Sequence, residues 1–389
     1  MMCFPLPKNS LLPHRPDVAF FYAAILIFTD MEYLMNHIVE PQTSKSSATT
    51  YLPISQPLSK PSCNRAKRLA KTKGMSREQW LQVRKQGIGS SDAAAACGLN
   101  PHMSMLELWM IKTGRMQNQP DQPTQNSYSP LYWGNQLEPL IANYYQHKTG
   151  HKVRKVNAVL QHPDPDKHFM LANLDYAVVG CNEVQILECK SVGEWGTKLW
   201  RDGVPLYVII QVQHQLAVTG KQAAHICALI CGHEAKIFKV ERNEIVIDQI
   251  MTSERIFWSC VENDIPPSVD ASASAAKALQ LLYPQHTPLQ TVDFSTLEGV
   301  DQLFTDLLHE EKQLTDHQTK YDYLKHRIQA LMKDAEKAIF SNGTVTWKKS
   351  KDSVVLDQKA LLQAQPELLN QYPQPRQGSR RFNIYSATT

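Results

Sequence analysis

The sequence predicts an α/β (α+β) fold, in which helices and short strands are mixed along the chain. Of the 389 residues 42% are hydrophobic and 20% are charged, which is typical of a soluble globular protein with a sizeable core. Several segments have the apolar spacing of a helix and end at a glycine. Between them lie short apolar segments, bounded by turn residues, that have the pattern of strands.

The first elements are predicted to be helices around a Gly/Ser turn. Between residues 75 and 114 the chain contains MSREQWLQVRKQ, GIGSSDAAAACGLN and SMLELWMIKTG. The segment LYWGNQLEPLIANYYQHKTG predicts an amphipathic helix over residues 131–150, ended by Gly150. The next segment, KVRKVNAVLQH at 152–162, is predicted to be a strand.

The hairpin NLDYAVVGCNEVQILECK, residues 173–190, contains two acids between apolar arms. Antiparallel pairing around the turn that begins at Gly180 places Asp175 opposite Glu188, and Lys190 on the same face. Opposed like charges destabilise a ladder, so a divalent cation between the carboxylates would explain them. Oxygen ligands suit Mg²⁺, Mn²⁺ or Ca²⁺ better than zinc. The alternative is a partly exposed hairpin with solvated acids and Lys190 as an ion-pair partner.

The later elements alternate between helix and strand. PLYVIIQVQHQLAVTG is predicted to be a helix that starts near Pro205 and stops at Gly220. AAHICALICG and AKIFKVERN predict a pair of strands, and IVIDQIMTSERIFWSCVEND predicts a closing helix. Beyond them, apolar residues follow a heptad pattern from Val300 to Ala338, with Glu310 and His317 as polar exceptions. This pattern predicts one long helix or a helical hairpin that either associates with itself or folds back.

The predicted domain organisation has five parts. Residues 1–60 are expected to be a poorly structured extension, in which VAFFYAAILIF at 18–28 is too short to span a bilayer. Residues 61–267 form the main domain, 268–295 a linker and 296–340 the helical arm. Residues 341–389 form a small basic hairpin region, whose segments TVTWKKSK and SRRFNIY are strand-like. These two segments either bind a nucleic-acid backbone or pack as a small hairpin.

Charge and cysteine usage indicate the partners and the compartment. The formal charge of +4 is too small to indicate nucleic acid by itself, but residues 60–85 contain nine Lys or Arg and one acid. Such a cluster suits a polyanion, and a solvated basic arm is the alternative. Eight cysteines without regular spacing indicate neither a disulfide framework nor a zinc site, which favours a reducing, cytoplasmic location.

These motifs together resemble the YqaJ-type viral recombinase family, relatives of the phage lambda exonuclease within the PD-(D/E)xK nuclease superfamily. The resemblance spans about residues 64–267 and rests on GIGSSDAAAACGLN, ELWMIKTG, WGNQLEP, ANLDYAVV, ILECK and VIIQVQHQLAVTG. It implies a restriction-endonuclease-like central mixed sheet flanked by helices. It also implies a Mg²⁺-dependent nuclease, with Mn²⁺ as an alternative ion, that resects double-stranded DNA ends. A single-strand annealing protein as partner and a homotrimer are further implications.

The resemblance also assigns roles to individual residues. Asp175, Glu188 and the helix-borne Glu138 would be metal ligands, Lys190 the catalytic lysine, and Gln211 the glutamine that completes the active centre. The terminal phosphate of DNA would be bound by the group Arg84, Ser91 and Ser90. Small side chains and free N–H groups in GIGSSD suit a phosphate independently of the resemblance, although an ordinary Ser N-cap at Ser91 is the alternative.

The chain departs from the family pattern at two positions. It has Tyr176 and Ser90 where glycine is common, which leaves the acids and the lysine in place but bears on substrate preference. Three functions therefore compete: an exonuclease, an endonuclease of the same fold, and a non-catalytic DNA-end-binding scaffold for an annealing protein. The intact set of Asp175, Glu188 and Lys190 favours an enzyme.

Overall fold

The computed structural model describes residues 39–41, 65–116, 130–297, 299–375 and 378–386. The apolar segment at 18–28 lies outside these residues, as does all of the 1–60 extension except residues 39–41. The chain divides into two compact units, residues 1–282 and 283–389. No helix among the described residues combines the length and the apolar character needed to cross a membrane.

A mixed sheet of six strands forms the centre of the first unit. Its order is β1-β10-β9-β8-β7-β4, and β8 runs parallel to β9 whereas the other neighbours are antiparallel. The strands are β1 (Val39–Pro41), β4 (Lys152–Lys155), β7 (Tyr176–Val179), β8 (Ile186–Val192), β9 (Ala223–Ile230) and β10 (Glu234–Glu241).

A second sheet has four strands in the order β2-β5-β6-β3, with β3 parallel to β6. Its strands are β2 (Lys67–Lys71), β3 (Ile88–Gly89), β5 (Ala158–Gln161) and β6 (Met170–Asn173). The predicted single strand at 152–162 is therefore wrong. The chain leaves the larger sheet after Lys155 and joins the smaller one at Ala158, so this segment connects the two sheets.

Seven helices are described in the first unit, and two of them cover opposite faces of the larger sheet. They are α1 (Arg77–Arg84), α2 (Ala93–Ala96), α3 (Met105–Lys112), α4 (Pro130–Thr149), α5 (Leu206–Thr219), α6 (Glu244–Glu262) and α7 (Ala273–Leu282). Leu187 packs with α4 in one apolar cluster, while its neighbour Ile186 packs with α5 in the main core. Successive strand residues point to opposite faces, so Glu188 and Lys190 lie on the α5 side. The expected mixed sheet flanked by helices is confirmed.

Helix α5 has the predicted bounds and is almost entirely buried. It starts after Pro205 and ends at Gly220, whose backbone is left-handed with φ of 67°. Its residues Val208–Val218 are all buried, including the polar Gln211, Gln213, His214 and Gln215. A buried polar side chain needs a partner, and each of these four side chains makes hydrogen bonds to another element.

Two hydrogen bonds of the His214 ring connect α5 to the surrounding core. Its Nε2–H donates to the carbonyl of Leu171 at 2.9 Å, and its Nδ1 is hydrogen-bonded to Oε1 of Glu254 on α6 at 2.6 Å. Burial opposes a charge on this imidazole, but the Glu254 carboxylate and the Leu171 carbonyl raise the pKa of His214 above its usual value. Burial also raises the pKa of Glu254, so the two fully buried side chains form a hydrogen-bonded pair that shares one proton between Nδ1 and Oε1.

The second unit contains the long helix that the heptad pattern predicted. Helix α8 is continuous from Val300 to Met332, which excludes the helical hairpin. The heptad pattern continues to Ala338 in the sequence, but β11 (Lys337–Phe340) pairs there with β12 (Gly343–Thr346). The described part of SRRFNIY is not a strand, so that prediction is wrong. Two short helices follow β12: α9 (Gln358–Ala364) and α10 (Leu368–Gln371).

We expect Glu254→Gln to lower the free energy of unfolding by about 3 kcal/mol, because it removes one partner of the fully buried His214–Glu254 pair. Urea denaturation followed by circular dichroism measures this change. Asp248→Asn is the matched control, since Asp248 lies on the same helix and is exposed. Equal stability of the two variants would contradict a stabilising His214–Glu254 pair.

Candidate active site

The hairpin register brings Asp175 and Glu188 face to face, as predicted. Tyr176 pairs with Leu187 and Ala177 with Ile186 in the antiparallel ladder. The next opposed positions toward the open end of the hairpin are therefore Asp175 and Glu188. Oδ2 of Asp175 accepts a hydrogen bond from the backbone N–H of Cys189 at 2.8 Å, which ties this carboxylate to the opposite arm.

Glu188 is held by donors from two directions. Its Oε1 accepts from Nε2 of Gln211 at 2.7 Å and lies 2.9 Å from Nζ of Lys190. Its Oε2 accepts from Nε2 of Gln215 at 2.8 Å. Gln211 and Gln215 are one helical turn apart on α5, so one face of that helix presents two amides to one carboxylate. Glu188 is only 3% exposed, and these contacts compensate its buried charge.

Lys190 is placed by the same network. Nζ of Lys190 donates to Oε1 of Gln211 at 2.7 Å, so the Gln211 amide accepts from the lysine and donates to Glu188. Burial disfavours the ammonium, but Glu188 and Asp175 raise the pKa of Lys190 above its usual value. About a quarter of its side chain stays exposed, so a charged donor remains reachable from outside.

Asp175 has the opposite electrostatic balance. Burial, the charge on Glu188 and the charge on Glu138 together raise the pKa of Asp175 well above its usual range. Negative charge is therefore in excess at the strand ends even though Lys190 is close. A divalent cation is the ligand that relieves such an excess.

The residues present fit a Mg²⁺ or Mn²⁺ ion of the kind that keeps part of its water shell. Throughout the part of the chain that the structure describes, no three His, Cys, Asp or Glu side chains gather closely enough to form a complete metal cage. Mg²⁺ commonly binds through one or two carboxylates together with water and substrate phosphates. Asp175 and Glu188 provide such a pair.

Glu138 reaches the hairpin from α4, on the other face of the sheet. Its carboxylate forms an ion pair with Lys155. It also interacts with the hydroxyl of Tyr176, and burial together with this carboxylate raises the pKa of Tyr176 to about 12. Lys155 lies directly opposite Tyr176 in the ladder, with Nζ 5.3 Å from the centre of the ring. Glu138 is thus close enough to act on Asp175 and has Lys155 as its ion-pair partner.

A second polar cluster forms around Arg84, at the end of α1. Nη2 of Arg84 donates to Oγ of Ser91 at 2.8 Å, and the guanidinium lies 4.8 Å from the centre of the Trp80 ring. Arg84 also contacts the carboxylate of Asp92. A Cβ at Gly89 would lie 3.0 Å from Nη2 of Arg84, so a larger residue there would force the guanidinium to shift by a few tenths of an ångström.

Asp92 joins this cluster to a buried lysine. Its Oδ2 lies 2.8 Å from Nζ of Lys112, which also donates to the backbone carbonyl of Arg84 at 2.9 Å. Burial opposes ionisation of Asp92, but the charges of Arg84 and Lys112 outweigh it and hold the pKa of Asp92 well below its usual range. Two cations and one anion leave the cluster with a net charge of +1.

The two serines of GIGSSD differ in position. Ser90 is buried, whereas Ser91 is exposed and bonded to Arg84. The N-cap of α2 is Asp92 rather than Ser91, and that cap makes no side-chain hydrogen bond to the helix. Ser91 is therefore not an ordinary N-cap, and Asp92 uses its carboxylate on Arg84, Lys112 and the N–H of Gly89 instead.

The sequence predicted a site of Asp175, Glu188, Lys190 and Gln211. The structure places Glu188, Lys190 and Gln211 in direct contact, and Asp175 opposite Glu188 with its carboxylate bonded to the backbone N–H of Cys189. The sequence also grouped Arg84 with Ser91. No individual role was predicted for Asp92, Lys112, Lys155 or Gln215. Asp92 and Lys112 lie within the quoted motifs, and an acid and a lysine among apolar residues were the available signal.

We expect Asp92→Asn to lower the free energy of unfolding by about 3–5 kcal/mol, because Lys112 stays buried without a counter-charge. The pKa of Asp92 is depressed, so its contribution is present above pH ~4 and is lost only as the pH falls through the folded-state value. The deficit should therefore be the same at pH 5 and pH 7 in urea titrations. Asp264→Asn, which breaks an exposed pair with Arg115, should have no measurable effect.

The chain matches one family model and several known proteins. The model for a YqaJ-like viral recombinase domain matches residues 79–222. The uncharacterised protein YqaJ of Bacillus subtilis (strain 168) is 36% identical over 289 residues, which are 73% of this chain and 87% of that protein.

Two crystal structures are also similar over about half of the chain. The alkaline exonuclease LHK-Exo from Laribacter hongkongensis is 22% identical with a TM-score of 0.39, covering 48% of this chain and 94% of that one. A phage-related exonuclease from Haemophilus somnus 129PT is 13% identical with a TM-score of 0.32, covering 46% and 96%. Likeness at these TM-scores carries no functional argument. The extent and identity of the match to the Bacillus protein show that this chain belongs to the YqaJ-like viral recombinase family.

Proposed function

We propose that the protein is a metal-dependent deoxyribonuclease that resects the ends of double-stranded DNA as an exonuclease, in a recombination process of the phage type. The observation that supports this most is the opposition of the buried Glu188 carboxylate and the half-buried Asp175 carboxylate beside a charged lysine. A hairpin gains no stability from Asp175 opposite Glu188, since like charges there repel. Such an arrangement is explained by a cation and a phosphodiester substrate that together balance the charge.

Each side chain has a distinct part in the proposed hydrolysis. Asp175 and Glu188 would hold Mg²⁺ or Mn²⁺, and Glu138 would add negative charge from the other face. When bound, the cation supplies Lewis-acid polarisation of a phosphoryl oxygen. Lys190 has a raised pKa and stays protonated, so it acts as a donor rather than as a general base. Its ammonium would stabilise negative charge that develops on the scissile phosphate.

Gln211 sets the geometry of this step. Its amide accepts from Lys190 and donates to Glu188, so it fixes the distance between the lysine and a metal-binding carboxylate. Gln215 holds the other oxygen of Glu188. Both amides come from one buried helix, which keeps the donors in place before substrate binds. This preorganisation supports a catalytic centre over an idle scaffold.

The cluster of Arg84 and Ser91 is proposed to bind a terminal phosphate. It combines a net charge of +1 with an exposed hydroxyl and a guanidinium, which is the residue type that binds phosphate in a bidentate manner. The buried Ser90 would shape the cradle rather than contact DNA. Helix α2, which follows the cluster, packs against α5, which carries Gln211 and Gln215. A site for a terminal phosphate beside the reaction centre favours an exonuclease over an endonuclease.

Three further expectations belong to the same proposal. Double-stranded DNA is the substrate, and a single-strand annealing protein is the expected partner for the resected product. A homotrimer is the expected assembly of the nuclease unit. The reaction is expected to take place in the cytoplasm.

A labelled linear duplex and a closed circular duplex test the proposed function directly. With Mg²⁺ we expect mononucleotide release from the linear DNA and none after chelation. Asp175→Ala should reduce the rate at least about 1,000-fold, because several kcal/mol of charge stabilisation is lost with the ion. Asp166→Ala, at an exposed acid outside the site, is the control.

The same experiment separates the competing functions. Cutting of the closed circle would indicate an endonuclease. Binding without cleavage by the wild type, at every metal concentration, would indicate a scaffold. Circular dichroism of Asp175→Ala distinguishes loss of activity from loss of fold.

We expect Arg84→Gln to remove the preference for phosphorylated ends. The rate on duplexes with a 5′- or 3′-terminal phosphate should fall about 10- to 100-fold, because a charge-assisted hydrogen bond is lost. The rate on hydroxyl ends should change little. Arg77→Gln removes an exposed charge from the same helix and is the matched control. An equal loss on all ends would argue against a terminal-phosphate site.

A further inference from the structure

Helix α8 of the second unit exposes an apolar face along its whole length. It has 33 residues, so it is about 50 Å long. Its heptad positions include Leu303, Leu314 and Leu331, which are 67%, 70% and 81% exposed. Of the 33 residues only Met332, at the end, is buried. A helix with a regular apolar stripe derives most of its stability from packing, so this face requires a partner.

The charge of α8 argues against DNA as that partner. Residues 300–332 contain six Asp or Glu and four Lys or Arg, a net charge of −2. A surface that binds a phosphate backbone needs positive charge. Because the helix is continuous, one half of the stripe cannot fold back onto the other half within one chain. A second helix with a matching heptad pattern remains.

The same helix from a second copy matches this stripe when the two run antiparallel. In such a pair each a position faces a d position, and one register uses all ten heptad positions. It places Val300, Leu303 and Leu307 against Leu331, Ile328 and Leu324 of the second copy. It also places Glu310 beside Tyr321, whose hydroxyl can donate to the carboxylate, and Leu314 beside His317. By symmetry the ten positions form five distinct a–d layers, and three of these layers contain only apolar residues.

The flanking charges choose between the two directions. In the antiparallel register, the g positions bring Asp306 next to Arg327 of the second copy, twice by symmetry. In a parallel pair, g and e positions would instead bring Asp306 next to Glu311 and Lys320 next to Lys325. Parallel pairing would also stack Glu310 on its own equivalent in the core. Such charges set partner orientation in coiled coils.

We propose that α8 is a homotypic interaction surface, which forms an antiparallel two-stranded coiled coil with α8 of a second copy of this chain. The apolar layers supply the attraction. The Asp306–Arg327 pairs and the like-charge contacts of the parallel alternative set the direction. This role is independent of the nuclease chemistry, since no residue of the candidate active site takes part.

Sedimentation of the full-length protein over a concentration series, together with two charge reversals and their combination, tests the proposal. Asp306→Arg and Arg327→Asp each turn two attractive contacts into repulsive ones. Each should raise the Kd of self-association about 10-fold. The double variant restores opposite charges in the antiparallel register and should return to the wild-type Kd. Asp316→Arg, at the outward c position, should have no effect.

The opposite results would overturn the proposal. In a parallel pair, Asp306→Arg would face Glu311 and strengthen association rather than weaken it. A wild-type chain that is monomeric at all concentrations would exclude the homotypic contact. Association that none of the three variants changes would place the interface elsewhere. Circular dichroism confirms that each variant keeps its helix, so that a loss of association is not a loss of structure.

Discussion

The repulsion between Asp175 and Glu188 is the constraint on which the candidate active site depends. The hairpin register places the two carboxylates opposite each other. The polar groups around them compensate this negative charge to different degrees. Gln211, Gln215 and Lys190 compensate Glu188, whereas burial and the charges of Glu188 and Glu138 keep the pKa of Asp175 raised. The charge of Glu188 is thus compensated by neighbouring donors, whereas the charge of Asp175 is not. This is the state in which a divalent cation binds with a gain in free energy.

The scaffold maintains this imbalance through helix α5. A buried helix with four polar side chains within little more than one turn would be costly unless these side chains had hydrogen-bond partners. Here the partners are divided between function and structure. Gln211 and Gln215 bind Glu188, while Gln213 bonds the carbonyl of Glu241 and His214 pairs with Glu254. The structural bonds hold the helix in register, so the two functional amides meet the carboxylate without conformational adjustment.

The first unit contains two charged clusters, one around Arg84 and one around Asp175 and Glu188, and their net charges have opposite signs. The Arg84 cluster is already neutralised in part, since Asp92 sits between two cations and retains its own charge. Its net positive charge suits a phosphate, whereas the excess negative charge at the hairpin suits a metal ion. In the proposed function, DNA would supply the terminal phosphate for the first cluster and the scissile phosphate beside the metal ion for the second. The exposed stripe of α8 would bind in a different way. In the proposed coiled coil, apolar packing provides the affinity and a few charged residues set the antiparallel direction.

The local sequence pattern determined several helix bounds and the hairpin register of this protein. Pro205 and Gly220 bounded α5, the heptad pattern predicted α8, and the turn at Gly180 set the register that pairs Asp175 with Glu188, since strand alternation has a fixed period. Tertiary structure alone decided where long-range partners lie. It split residues 152–162 between two sheets, paired Glu138 with Lys155, buried Lys112 against Asp92 and separated the roles of His214 and Gln215. These contacts join residues far apart in sequence, and their energies depend on burial, which no local pattern encodes.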